Sequence, residues 1–289
     1  MSTSIREALY SGERRLSRTS PSPRLDAELL LGYALGRPRE YLHAWPERDL
    51  TQRQQARFER LVGRRADGEP IAYLTGEREF WSMRLRVAPG VLIPRPETEL
   101  LVELLLESLP ADRPARVVDL GTGSGAIALA LARARPGWDI LATDRSGEAL
   151  AMARDNAERL GIERVDWRLG AWFAPLASLR FDAVVSNPPY VASEDPHLSQ
   201  GDVRFEPNGA LDGGPDGLDE LRRIIDGSPA HLKRGGWLVL EHGCDQGPAV
   251  RSLLLAAGLG AIRTHRDLAG LERATIARQG DPEGFAGEA

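Results

Sequence analysis

The chain has one cysteine, Cys244, among 289 residues. No intramolecular disulfide and no cysteine-rich zinc site can form, which fits a reducing compartment. A free cysteine of this kind is expected to be a small buried residue. Lysine is almost missing as well: Lys233 stands alone among the basic residues, and the rest are arginines, as a biased base composition would give. No stretch reaches 18 apolar residues, and Arg6, Glu7 and Glu13 interrupt the N-terminus where a signal peptide needs an apolar segment. A soluble, cytoplasmic protein with no membrane partner is expected. The histidines, His43, His197, His231, His242 and His265, show neither the i, i+4 pairing nor the carboxylate spacing of a metal site, so no metal is expected.

What is present suits a globular chain. Apolar residues make up 42% and charged residues 27%, close to the averages for packed domains. At about 100–200 residues per domain, the length suggests two. Charge divides unevenly between them. Residues 1–85 carry 15 arginines against 12 acidic groups, net +3, and the remainder carries 22 basic against 30 acidic groups, net −8. Neither part has the basic stripe of a nucleic-acid-binding surface.

The front of the chain reads as helices only. Pro23 suits a first helical turn, Leu25, Leu29, Leu30 and Leu31 follow at helical spacing, and Gly36 with Pro38 stops the run. Thr51 with Gln54 forms a capping-box pattern ahead of Phe58, Leu61 and Val62. Residues 1–75 are therefore expected to form a small helical bundle. Residues 76–93, with Phe80, Trp81, Met83, Leu85 and Val87 near period two, are expected to form a hairpin linker. From Pro94 to residue 280, strands and helices alternate. Strands are predicted at Arg116–Leu120, Asp139–Thr143, Val165–Leu169, Phe181–Ser186, Trp237–Glu241, Ala261–Arg266 and Arg273–Arg278. Helices are predicted at Glu97–Leu109, Ala126–Ala134, Glu148–Leu160, Leu218–Leu232 and Val250–Ala257. Such alternation predicts an α/β, doubly wound, mostly parallel, Rossmann-like sheet that binds ligands at the carboxyl ends of its strands. The last two strands are too close for a helical crossover, so one terminal strand is expected to be antiparallel. The stretch from Val191 to Pro215 has no periodicity and is expected to cover the active site. Residues 281–289 are expected to be a flexible tail.

Val117-Val118-Asp119-Leu120 runs straight into Gly121-Thr122-Gly123-Ser124-Gly125 and a helix. Glycines at such a turn bring bare backbone against a ligand and aim helix N–H groups at its polar part. Asp144 ends the second strand, where a carboxylate accepts hydrogen bonds from both ribose hydroxyls. A nucleotide-like cofactor follows. On this motif alone a dinucleotide remains open, since Gly121, Gly123 and Ala126 also satisfy the permissive dinucleotide pattern. Asp119 reads equally as a cap or as a receiver of a ligand ammonium group.

Asn187-Pro188-Pro189-Tyr190 follows the strand Phe181–Ser186. Two prolines remove two backbone donors and fix φ, leaving carbonyl acceptors beside the Asn187 side-chain oxygen. Paired acceptors suit an NH2 group. A planar amide or aryl amine is a poor nucleophile, and two acceptors would orient its nitrogen and stabilise the charge that develops on alkylation. Tyr190 offers a flat wall for a planar acceptor. Glu206 is expected to hold its loop, and Trp172, from its surroundings, reads as core packing.

Together these segments resemble the class I S-adenosylmethionine-dependent methyltransferases, and more narrowly the release factor glutamine methyltransferases of the HemK/PrmC family. The likeness extends from the helical front to about residue 279. It is carried by Gly68-Glu69-Pro70-Ile71-Ala72-Tyr73-Leu74, by Leu92-Ile93-Pro94-Arg95-Pro96-Glu97-Thr98-Glu99 and by the glycine loop from Asp119 to Gly125. Asn187 to Tyr190, Phe205-Glu206-Pro207, Ala210-Leu211 and Asp216-Gly217-Leu218 complete it. Asp212 stands where relatives often have an aromatic residue.

The resemblance implies methylation of the glutamine amide nitrogen in the Gly-Gly-Gln motif of class I peptide chain release factors, with S-adenosyl-L-methionine as donor. It implies cofactor contacts at Asp119, Gly121, Thr122, Gly123, Ser124, Gly125, Asp144, Trp172 and Asn187. Asn187, Pro188, Pro189 and Tyr190 would hold the glutamine, with Asn187, Pro188 and Tyr190 catalytic, and the helical front would help dock the release factor. Two rivals remain. An exocyclic-amine methyltransferase acting on adenine or guanine shares the Asn-Pro-Pro-aromatic turn but needs a cationic track for phosphates, which the acidic second part lacks. A non-catalytic protein-binding module would have no cofactor affinity.

Overall fold

The computed structural model describes residues 3–280, so the expected flexible tail at 281–289 lies outside the described residues. The chain forms two compact units. One runs to Glu77 and includes Gln200–Phe205; the other comprises Arg78–Ser199 and the chain from Glu206 onward.

The first unit is helical: α1 (Ile5–Leu16), α2 (Pro23–Leu35), α3 (Arg39–Ala44), α4 (Gln52–Ala66) and α5 (Ile71–Thr75). Reciprocal capping boxes start two of these helices, Ser4 with Glu7 on α1 and Thr51 with Gln54 on α4, each satisfying two otherwise orphaned N–H groups. Gly36 ends α2 in the left-handed conformation at φ 64°. Ile5, Leu9, Leu16, Leu30, Leu31, Phe58 and Leu61 form its core. Beside that core the buried Arg65 guanidinium pairs with Asp26 at 2.7 Å and Asp202 at 2.6 Å.

A hairpin follows, β1 (Glu77–Phe80) and β2 (Met83–Arg86), all but its first residue belonging to the second unit. Its two-residue turn holds Trp81 and Ser82 at φ 51° and 54°, the sign that matches the twist of a hairpin. A 3-10 turn, Pro96–Thr98, then leads into α6 (Glu99–Ser108). After it come β3 (Arg116–Leu120), α7 (Ala126–Ala134), β4 (Asp139–Asp144), α8 (Gly147–Leu160), β5 (Val165–Leu169) and β6 (Phe181–Ser186). The chain ends through α9 (Asp219–His231), β7 (Leu232–Glu241), α10 (Gly247–Ala256), β8 (Leu259–Arg266) and β9 (Glu272–Gln279).

The seven strands lie in the order β5-β4-β3-β6-β7-β9-β8. All neighbours are parallel except β9, which runs antiparallel to β7 and β8. The antiparallel strand is thus last in the chain but not at the sheet's edge, because it inserts between β7 and β8. Alternation sends Val117 into the core on one face, with Leu101, Leu129 and Ile140, and Val118 into the other, with Leu141, Val184 and Leu238. Leu232, expected to close a helix, instead begins β7 opposite Phe181, and a register shift separates that pair from Ala183 with Trp237. Cys244, expected to be buried, is exposed in the turn between β7 and α10. Among the described residues no helix is long and apolar enough to cross a membrane.

From β3 the chain winds outward through β4 to β5, then returns to β6 on the other side of β3. Strand order reverses there, and a crevice opens beyond the carboxyl ends of β3 and β6. Leu120 pairs with both Thr143 and Ser186, so the loops leaving β3, β4 and β6 start at one level.

Candidate active site

The loop after β3 is a tight backbone cradle. Gly121, Gly123 and Gly125 have φ of 73°, 57° and 86°, a region that strains residues bearing a Cβ. At Gly121 space is closed too, since a Cβ would lie 3.0 Å from the Trp172 ring. The Thr143 carbonyl accepts from the Gly121 and Thr122 N–H groups at 2.8 and 3.0 Å. The Asp144 carboxylate accepts from Gly123 N at 2.9 Å and Ser146 N at 2.8 Å. One carboxylate therefore ties the β3 and β4 loops together and stands in a fixed orientation at the cavity wall.

Asp119 sits beneath that loop, 1% exposed. One oxygen accepts from the Thr122 hydroxyl at 2.6 Å and from Ala128 N at 3.2 Å, capping α7. The other is buried and without a partner among the described residues. Burial pushes its pKa up to about 7, against the pull of the Thr122 and Ala128 hydrogen bonds. An unmatched buried acceptor is unfavourable by about 1–3 kcal/mol, and a ligand cation or donor would relieve it.

Gly121 to Ser124, Asp144, Trp172, Asn187 and Pro189 line a cavity of about 230 Å³. Its remaining wall includes Leu92, Pro94, Thr98, Pro207 and Ala210. Asp119, Gly125, Pro188 and Tyr190 are not among the residues that line the cavity. Trp172 packs against one of the two cores and also faces the cavity. Its indole N–H donates to Glu220 at 2.8 Å, and its carbonyl accepts from the Thr143 hydroxyl at 3.1 Å.

At the end of β6, Asn187 Nδ2 donates to the Thr98 hydroxyl oxygen at 3.1 Å. Thr98 donates to Glu241 Oε2 at 2.6 Å, and the Tyr190 hydroxyl donates to Glu241 Oε1 at 3.0 Å. Glu241 is fully buried, and burial pushes its pKa up to about 7, opposed by those two hydroxyls. Burial, then the neighbouring Glu241, raises the Tyr190 phenol well above its ordinary value. Tyr190 is therefore fastened to the protein by its hydroxyl, while Trp172 and Pro189 line the cavity. Asn187 Oδ1 and the Pro188 carbonyl accept no hydrogen bond among the described residues.

The long stretch after Tyr190 braces this turn from behind. Gly213 admits no side chain, because a Cβ there would meet the Pro189 carbonyl at 2.7 Å and Tyr190 Cα at 2.9 Å. Gln246 Nε2 donates to the Tyr190 carbonyl at 3.0 Å. Asp212, in place of an aromatic residue, accepts from the Ser193 hydroxyl at 2.7 Å and Gly214 N at 2.9 Å. Glu206 accepts from Ile93 N at 2.9 Å and pairs with Arg95. The Pro-Arg-Pro and Glu206-Pro207 segments thus meet, and Pro207 is held at the cavity.

Sequence reasoning missed Thr98, Glu220 and Glu241. The signal for Glu241 was its place at the end of a strand; its partners could be known only from strand order. His242, next to it, points elsewhere, to the Thr275 hydroxyl at 2.8 Å. Among the described residues no group of three His, Cys, Asp or Glu could hold a metal ion.

Residues 7–76 match the family model described as the PrmC N-terminal domain, and residues 95–202 match the methyltransferase small domain. The release factor glutamine methyltransferase of Pseudomonas aeruginosa is 54% identical over 257 residues, covering 89% of this chain and 93% of its own length. That of Coxiella burnetii is 48% identical over 277 residues, covering 96% and 99%. Among solved structures, the 16S rRNA N2 G1207 methyltransferase of T. Thermophilus in complex with AdoMet and guanosine aligns with a TM-score of 0.53 at 22% identity. That alignment spans 70% of this chain and 49% of the other, and shows a shared fold.

Proposed function

The chain belongs to the release factor glutamine methyltransferases, and from that membership we propose that it methylates the side-chain amide nitrogen, N5, of the glutamine in the Gly-Gly-Gln motif of class I peptide chain release factors. S-adenosyl-L-methionine is the donor, and the reaction belongs to the cytoplasm, where translation terminates. The observation that supports the reading is the Asn187 turn: Asn187 lines the cavity with its amide nitrogen tied to Thr98, while its oxygen and the adjoining Pro188 carbonyl accept no hydrogen bond among the described residues.

The residues present fit the cofactor. The buried, unpartnered oxygen of Asp119 suits the amino group of its methionine part. Asp144 suits the ribose hydroxyls, the backbone from Gly121 to Gly125 lets the ligand approach closely, and Trp172 stands beside it. Bound there, S-adenosylmethionine supplies a sulfonium methyl, whose carbon joins the amide nitrogen as the carbon–sulfur bond breaks and its electron pair returns to sulfur.

Asn187 Oδ1 and the Pro188 carbonyl accept the two hydrogens of the glutamine NH2. That grip fixes the nitrogen's direction, and it strengthens as positive charge grows there, so it acts on the transition state more than on the ground state. Pro189 contacts the acceptor side chain, and Tyr190 holds the turn rigid. Neither acceptor is basic enough to keep the proton the nitrogen sheds, which passes to water. The helical front of the chain, with its net positive charge and exposed Tyr10 and Trp45, docks the release factor.

The test is incubation of the protein with methyl-labelled donor and either purified release factor or total nucleic acid. Label on the Gly-Gly-Gln glutamine, seen as a peptide heavier by one methyl group, is the expected result. Label confined to nucleic acid would replace this reading with an exocyclic-amine methyltransferase.

A further inference from the structure

We propose that Thr98 and Glu241 are positioning residues that fix the polarity of the Asn187 amide, so that its oxygen and not its NH2 faces the acceptor. The inference rests on the function proposed above and adds a determinant of its specificity.

The argument is one of donors and acceptors. Above the value of about 7 to which burial raises its pKa, Glu241 is ionised and can only accept, and its two oxygens face two hydroxyls, Thr98 at 2.6 Å and Tyr190 at 3.0 Å. Each hydroxyl has one hydrogen, and each must point it at the carboxylate. Thr98 then has only lone pairs left to offer Asn187, 3.1 Å away. An NH2 group satisfies that position. Exchanging the nitrogen and oxygen of Asn187 would set two lone pairs against each other with no hydrogen between. An amide has no intrinsic preference between its two faces; here the carboxylate, through one hydroxyl, decides which face the cavity meets.

Local structure makes the relay stiff. Ser186 pairs with Leu240, which brings Glu241 level with Asn187 on the neighbouring strand. Thr98 comes from the 3-10 turn at the start of α6 and is 4% exposed, and Glu241 is 0% exposed, so both are largely withdrawn from solvent. The consequence is chemical selection. An acceptor bearing NH2 meets an oxygen, whereas a carboxylate in the same place, as on glutamate, would meet oxygen against oxygen.

The experiment compares Thr98→Val, which keeps shape but removes the hydroxyl, with Thr98→Ser, which restores it. Methyl transfer to a release factor is measured alongside calorimetric binding of S-adenosylmethionine. We expect kcat to fall by about 10- to 100-fold in Thr98→Val, the scale of losing alignment at a reacting group, with cofactor affinity within about threefold. Thr98→Ser should return kcat to within about threefold of the parent. Equal kcat in Thr98→Val and the parent overturns the proposal. So does a Thr98→Val loss that Thr98→Ser fails to restore, or one matched by lost cofactor binding, since either marks a packing role. If the parent itself methylates no release factor, the functional reading fails and the relay is still decided by the side-chain amide signals of Asn187 in labelled full-length protein. Protection of one Nδ2 hydrogen from exchange that vanishes in Thr98→Val upholds the relay; unchanged protection rejects it.

Discussion

Gly121 and Asn187 stand at the same level just past the ends of two adjacent parallel strands, because Leu120 pairs with Ser186. The Ser186 hydroxyl also donates to the Leu120 carbonyl at 2.7 Å, locking the two strand ends together. A loop that admits bare backbone and a turn that presents acceptors therefore open onto one cavity. Under the proposed function, strand register would supply the alignment of methyl donor and amide nitrogen.

Asn187→Ala should separate binding from transfer. Its side chain lines the cavity but supports neither the glycine loop nor Asp144, so calorimetry should find S-adenosylmethionine affinity within about threefold of the parent. Methyl transfer should fall by about 100-fold or more, the scale of deleting one preorganised hydrogen-bonding partner at a reacting centre. Parental turnover in Asn187→Ala would end the case for the turn as the catalytic element.

Gly121→Ala tests the cradle. An added Cβ meets a φ of 73° and the Trp172 ring at 3.0 Å, so the loop must shift or the indole must leave the wall. The left-handed strain alone is worth about 1–2 kcal/mol. The expected result is at least about tenfold weaker cofactor binding, with the far-ultraviolet circular dichroism of the sheet unchanged.

How much of this was legible in the sequence depended on distance along the chain. The β3–glycine loop–α7 unit was readable because an apolar run, three glycines and a helix are adjacent. The Thr51–Gln54 capping box was readable because its partners are three residues apart. Thr98 and Glu241 were not, since 143 residues separate them and only the β6-β7 pairing brings Glu241 level with Asn187. Tyr190 was legible as part of the turn but not as a hydroxyl committed to Glu241. Cys244 was misread because the general preference of free cysteine for the interior yields to its place in an exposed turn. The same limit applies to β9, whose antiparallel direction could be argued from a short connection but whose insertion between β7 and β8 could not.

Glu206→Ala should loosen the segment over the cavity. The substitution leaves the Ile93 N–H and the Arg95 guanidinium without their buried acceptor. One unmatched buried donor is destabilising by about 1–3 kcal/mol. Urea unfolding should show a loss in that range, and limited proteolysis should cut the 191–215 stretch faster than in the parent. Because Pro207 and Ala210 line the cavity, cofactor affinity should weaken as well; an unchanged proteolytic pattern would deny Glu206 its holding role.

Asp119 sets a pH dependence whose sign can be worked out. Burial raises its pKa from the ordinary 3.8 to about 7, so the folded protein binds this proton more tightly than the unfolded chain. The stability it contributes is full below the ordinary value and is lost as pH rises through about 7. Glu241, raised by burial from 4.5 to about 7, adds in the same direction. Thermal stability attributable to the pair should therefore decline between pH 4 and 7, and Asp119→Asn should flatten part of that decline. A cation bound against the unpartnered Asp119 oxygen reverses the balance by favouring the ionised form. S-adenosylmethionine affinity should accordingly rise between pH 5.5 and 7.5 in the parent, with proton release detectable by calorimetry in buffers of different ionisation enthalpy. In Asp119→Asn the affinity should be lower and level across that range. A parental affinity that is flat or falls with rising pH would show that the cofactor's amino group binds elsewhere.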